Sequence, residues 1–231
     1  QGGLGLVFQD LPSLVQPTDL GEADAFLSHS WHDPCEEKWN MLCKWVSEWE
    51  KVHGRPPKIW FDRACIDQND ISRSLTMLPL YLAGCQQLLI VAGSTYCSRL
   101  WCVVEIFTFL QMGGSLDRVE VLPLQPYTLE GFTQEMSSFD CRKANCFIQE
   151  DRERLLGVIE TGFGTLDAFN SAARTMLVSR ASLLESHAPS ERSSAGVLSP
   201  IVSQASRSVS RMVGLLSSST GLSTRSDPTD R

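Results

Sequence analysis

Apolar positions along this chain fall into short, near-continuous runs, with stretches of three-to-four spacing between them. Ala23–Ser28 (A-D-A-F-L-S) is a short apolar run that reads as a first strand. Asp33 can N-cap the next helix, Pro34 suits a first helical position, and Glu36 lies three residues after Asp33 as in a capping box. Trp39, Leu42, Cys43, Val46 and Trp49 then recur at helical spacing and predict one buried face running to about His53, where Gly54 and Pro56 stop it. Trp39 and Trp49 read as core, and the pattern leaves Trp45 open. Lys58–Asp62 (K-I-W-F-D) reads as a second strand, Arg63–Asp70 as a polar loop, and Ile71–Ala83 as a helix kinked at Pro79. Gln87–Gly93 is the near-continuous apolar run of a central parallel strand. Ser98 is placed to cap a further helix to about Met112, stopped by Gly113 and Gly114, and Val119–Leu124 reads as a fourth strand.

Strand and helix thus alternate, which predicts an α/β fold with a flavodoxin-like, doubly wound parallel sheet of four to five strands. The expected order is 2-1-3-4, with a possible fifth strand near 141–148. Gln149–Ile159 and Leu166–Val178 read as two closing helices. The domain is expected to span 22–178, after a Gly- and Pro-containing linker at 1–21. From residue 179 serine dominates and aromatics vanish, the composition of a disordered tail over 179–231. Within it Ile201, Val202, Ala205, Val209, Met212, Val213 and Leu216 recur helically with Arg207 and Arg211 among them. A docking or membrane-surface helix over 200–216 is one reading of that stretch. An unstructured tail with incidental apolar residues is the preferred one.

Composition narrows the function classes. The 231 residues begin at Gln1, so a fragment or processed product is expected. A net charge of −7 argues against nucleic-acid binding, which rests on a basic face. The eight cysteines form no C-x-x-C pair and several sit in apolar runs, so neither a disulfide framework nor a zinc site is indicated. A reducing, cytoplasmic setting is the expectation. The apolar runs fall short of the roughly 18 residues that span a bilayer, and no signal peptide is visible.

Ligands of doubly wound sheets sit at the carboxyl ends of strands, where strand order reverses. Three polar loops fall there: Ser28-His29-Ser30-Trp31, Asp62 through Gln68, and Ser94 through Ser98. The segment after the last of these is the most informative. Between Arg99 and Asp117 its only charged residue is Glu105, amid Leu100, Trp101, Cys102, Val103, Val104, Ile106, Phe107, Phe109 and Leu110. A helix apolar on all sides is buried on most sides, and a carboxylate there needs a partner, a hydrogen bond or a proton. Trp101 is one turn earlier and shares its face. An indole beside such a carboxylate suits a planar, electron-poor ring. The alternative is a structural salt bridge, for instance to Arg63 or Arg99.

Tyr96-Cys97-Ser98-Arg99-Leu100-Trp101-Cys102-Val103-Val104-Glu105-Ile106 resembles the plant signature of Toll/interleukin receptor (TIR) domains, Y-x-x-S-x-W-C-x-x-E-L. D-A-F-L-S-H-S is similar to the first TIR strand. K-I-W-F-D, the polar loop and Ile71 through Leu75 resemble the second strand, the BB loop and the following helix. The resemblance covers about residues 22–125. It implies a flavodoxin-like fold and, in catalytic members, cleavage of NAD, as substrate, at the nicotinamide–ribose bond by the helix glutamate. That role would fall on Glu105, with Trp101 as a pocket wall and Ser28, His29, Ser30, Trp31 and Asp62 lining the nucleotide mouth. It also implies homo-oligomers through TIR–TIR contacts of the Arg63–Asp70 loop, and other TIR or signalling proteins as partners. Two blocks depart from the pattern. Asp67-Gln68-Asn69-Asp70 stands where many members carry a glycine, and S-H-S-W-H-D stands where plant members have F-R-G-E-D. W-F-D-R-A-C-I-D-Q is also similar to a block of fungal heterokaryon-incompatibility domains. Both likenesses point to immune or cell-death type signalling.

Other chemistries have weaker support. There is no G-x-S-x-G elbow, G-x-G-x-x-G or Walker loop. Cys65 reads as structural before it reads as a nucleophile. His29 and His32 near Asp33 are too few to indicate a metal. Two classes stay open: an NAD-cleaving enzyme, and a non-catalytic scaffold that assembles through TIR–TIR contacts.

Overall fold

The computed structural model describes residues 15–66 and 76–175. Four strands, β1 (Ala23–His29), β2 (Ile59–Trp60), β3 (Cys85–Ala92) and β4 (Val119–Pro123), form one parallel sheet in the order β2-β1-β3-β4. Around it lie α1 (Cys35–His53), α2 (Asp62–Cys65), α3 (Leu78–Ala83), α4 (Leu100–Gln111), α5 (Leu129–Ser137) and α6 (Gln149–Phe163). This is the flavodoxin-like, doubly wound arrangement, with the reversal of strand order between β1 and β3.

The period of two in the central strands sorts their side chains into two cores. Phe26, Leu88, Ile90 and Ala92 pack with Leu100, Val103, Val104 and Phe107 of α4 and with Leu155 and Ile159 of α6. Ala25, Leu27, Leu89 and Val91 pack with Trp45 of α1, with Leu42, Val46 and Trp49 against them. Both faces of the sheet are therefore covered, which explains why β3 is apolar from Leu88 to Ala92.

Several elements differ from the sequence expectation. The buried indole of α1 is Trp45, while Trp39 is exposed, so the face is set by Leu42, Trp45, Val46 and Trp49. Trp45 Nε1 donates to Glu120 of β4 at 2.9 Å, a polar partner that one helix's pattern cannot reveal. Pro34, not Asp33, occupies the N-cap of α1, without a side-chain cap. β2 is only two residues long, because Asp62–Cys65 turns into α2 within the segment expected to be strand end and loop. Pro79 lies in the first turn of α3, where its missing N–H costs nothing, and the helix is broken at Met77 just before it, with Thr76 helical; the expected start at 71–75 lies outside the described residues. Arg99, not Ser98, is the N-cap of α4; the Ser98 hydroxyl donates to the Thr95 carbonyl.

The fifth strand is not formed among the described residues. Asn145 makes an isolated parallel bridge to Arg99, and 141–143 is a turn. α5 was not expected. Thr128 caps it by accepting from Gly131 N, and Phe132 and Met136 bury against the first core. α6 runs to Phe163, past the expected Ile159, and helix resumes over 166–175. Residues 71–75, 176–178, the tail and its 200–216 stretch lie outside the described residues. No described helix is long and apolar enough to cross a membrane.

Candidate functional site

The alternation of β1 decides how its carboxyl end is used. Ser28 follows Phe26 and faces α4, while His29 follows Leu27 and faces α1. On the α4 side, Ser28 Oγ donates to Glu105 Oε2 at 2.6 Å and lies 2.7 Å from the Tyr96 hydroxyl. With Glu105 ionised, the Ser28 proton goes to the carboxylate, so Tyr96 must donate to Ser28. Burial lifts the Tyr96 phenol well above its usual range, which keeps it a donor.

Glu105 forms no ion pair among the described residues, which removes the expected bridge to Arg63 or Arg99. Burial pushes its carboxyl up to about 8; the Ser28 bond opposes the rise and the Asp62 charge adds to it. Along α4, Cys102, Val103, Val104, Ile106, Phe107, Thr108 and Phe109 are buried, whereas Trp101 and Glu105 keep some access. The indole and the carboxyl are one turn apart on that accessible stripe, as their spacing predicted.

The loops beyond β1 and β3 are latched together by Asp33. Its carboxylate is buried and accepts from Gly93 N and Thr95 N at 3.1 Å and from Thr95 Oγ1 at 2.7 Å. Ser30 Oγ joins the latch at 2.7 Å from Thr95 Oγ1. A Cβ on Gly93 would sit 2.4 Å from the Asp33 carboxyl carbon, so glycine is the side chain that fits here. Sequence reasoning assigned Asp33 to a helix cap because Asp before Pro fits both roles; the partner sixty residues away carries no local signal.

The remaining expected site residues gather at the rim. Trp31 is half exposed; its Nε1 donates to Asp62 Oδ2 at 2.8 Å, and the Arg63 guanidinium lies 5.7 Å from its ring. Asp62 also accepts from Arg63 N. On the α1 side His29 tilts against Phe61 at 5.4 Å, and its carbonyl accepts from Cys102 Sγ. Burial drives the His29 imidazole down, so the ring stays neutral near pH 7, although Asp62 pulls the other way. Thus Ser28, Tyr96, Trp101 and Glu105 form one group, Ser30 sits in the latch, Trp31 and Asp62 make a rim pair, and His29 serves the opposite face.

His29 opens onto a cavity of about 1750 Å³ along the β1–β2 side, also lined by Cys35, Lys38, Trp39, Phe61 and Cys65. Glu105 and Trp101 do not line it. Lys38 is the residue that the sequence pattern missed: it is half-buried on α1, donates to the Ser30 carbonyl at 2.7 Å, and is lowered by burial. A lysine on an amphipathic helix reads as solvated, and nothing local marks this one. No group of three or more His, Cys, Asp or Glu among the described residues could hold a metal ion. Comparison with protein-family models, curated proteins and solved structures finds no match.

Proposed function

We propose that this chain is a TIR-like signalling module that cleaves NAD at the nicotinamide–ribose bond, with Glu105 as the catalytic residue. The observation that carries the reading is a carboxyl without a cationic partner among the described residues, held by Ser28 at the carboxyl end of β1. A part-buried carboxyl with no cation beside it is suited to receive a cationic ligand, because the positive nicotinamide ring next to it favours ionisation. Trp101 supplies a flat apolar wall for that ring. As the C1′–N bond breaks, its electron pair passes to the ring nitrogen and nicotinamide leaves neutral. The positive charge moves to the ribose C1′ and its ring oxygen, where the Glu105 carboxylate stabilises it. Water then bonds to C1′ and releases a proton, giving ADP-ribose.

Incubating the protein with NAD and measuring nicotinamide tests this directly. Glu105→Gln preserves shape and the bond from Ser28 but removes the charge, and lowers kcat by at least about 100-fold. A folded Gln variant with full activity ends the assignment.

One observation favours a second reading, a non-catalytic TIR–TIR scaffold: the cavity lies on the α1 side and does not reach Glu105. In that case the folded wild type releases no nicotinamide at high protein and NAD concentration. The contact expected of the Arg63–Asp70 loop falls partly outside the described residues, which include Arg63 through Ile66 but not 67–70.

A further inference from the structure

We infer that Lys38 is the phosphate-binding residue of this site, and that it makes the ligand a nucleotide instead of a nucleoside. The inference rests on the NAD-cleaving reading for the identity of the nucleotide, but not for the presence of an anion subsite.

Three observations converge. First, Lys38 lines the cavity and is half-buried, yet it makes no ion pair among the described residues. Its one hydrogen bond among the described residues is to the Ser30 carbonyl, which leaves two ammonium protons without an acceptor there. A lysine held out of water in this way is costly unless an anion arrives. Second, the nearby carboxylates are already committed. Asp33 accepts from three donors in its latch, and Asp62 accepts from Trp31 Nε1 and Arg63 N. They steady the ammonium from a distance without taking its protons. Third, Lys38 and Glu105 are linked across the end of β1. Asp62 acts electrostatically on both; Cys102 acts on Lys38, Glu105 acts on Cys102, and the Cys102 thiol donates to the His29 carbonyl. On the NAD-cleaving reading, a ligand with its ribose at Glu105 passes the end of β1 to bring its phosphates to Lys38, which lines the cavity on the α1 side. The exposed indole of Trp39 at the cavity rim offers a face for a base beyond them.

The rigid element makes the position meaningful. Lys38 lies one turn into α1, and the Asp33 latch fixes the start of that helix against the β3 loop. The ammonium is thereby held at a set place instead of sweeping a solvated arc, which limits the ordering cost of binding.

Calorimetric titration of the full chain with ADP-ribose, and separately with adenosine, tests the inference. Three variants accompany the wild type: Lys38→Met, Lys38→Gln, which keeps a donor for the Ser30 carbonyl, and Lys38→Arg. Wild type and Lys38→Arg bind ADP-ribose within about threefold of each other. Lys38→Met and Lys38→Gln lose about tenfold or more, the scale of one charge-assisted hydrogen bond, and adenosine binds all four equally weakly. Melting curves establish that each variant is folded, and Lys38→Gln carries the test if Lys38→Met is not. ADP-ribose binding that is absent from the wild type, or unchanged in folded Lys38→Gln, overturns the inference. Lys38-dependent binding without nicotinamide release leaves the anion subsite standing and removes the cleavage reading instead.

Discussion

Replacing Glu105 by Gln should change how stability depends on pH more than it changes stability at any one pH. The ordinary carboxyl value is 4.5, and burial lifts Glu105 to about 8. Between those values the unfolded chain has released this proton while the folded chain keeps it. The unfolded state therefore binds fewer protons, and stability falls as pH rises through that window. At 1.36 kcal/mol per pH unit the whole interval costs at most about 5 kcal/mol, reached above pH 8. Partial solvent access to Glu105 trims that figure. At pH 5 the loss is only about 1 kcal/mol. Gln resembles the protonated acid at every pH, so the variant lacks this slope. Other groups contribute a pH dependence of their own, His29 among them, but they are common to both proteins and cancel in the difference. Thermal unfolding at intervals from pH 5 to pH 9 should show the variant's advantage growing from about 1 kcal/mol toward about 4–5 kcal/mol, or a widening of roughly 10 °C in Tm. A constant gap across the range, or a variant less stable than wild type at pH 9, refutes the account of Glu105 as a carboxyl without a cation.

Three further outcomes follow from the same geometry. Ser28→Ala removes the bond that holds Glu105 down, so the midpoint of the wild-type stability loss moves to higher pH, read by the same unfolding series. Asp33→Ala strands two backbone donors in the latch and costs about 2–4 kcal/mol, while Gly93→Ala overlaps Asp33 and costs about 1–3 kcal/mol; chemical denaturation measures both, and a neutral result for either ends the latch. Trp45→Ala loses about 3–5 kcal/mol and Trp39→Ala less than about 0.5 kcal/mol, the reverse of what the spacing of tryptophans alone indicates.

The sheet was legible in the sequence because its central strands carry both cores. Gln87–Gly93 has no polar interruption after Gln87, and alternating β and α signals left few possible topologies. What escaped was whatever depends on a partner remote in sequence. Trp45 reads as ambiguous until Glu120 is placed beside it. Asp33 reads as a cap until Gly93 and Thr95 are seen. The Glu105–Trp101 pair was legible because a helix brings residues four apart together by itself. Its hydrogen bond from Ser28 was not, since it joins residues 77 positions apart. Lys38 was invisible for a related reason: a lysine's meaning depends on whether water or protein surrounds it, and residue spacing does not report that.

The opposite facing of Ser28 and His29 bears on which length changes this chain can tolerate. Losing or gaining one residue within β1 would present the imidazole to α4 and the hydroxyl to α1, deleting the bond to Glu105 while leaving composition and hydrophobicity nearly untouched. Insertions after Gly54, in the exposed stretch before β2, shift neither parity. A library of single-residue insertions scored for folding and for nicotinamide release should therefore show a sharp intolerant window over 23–33, closed at its far end by the Asp33 latch, and a permissive one at 54–57.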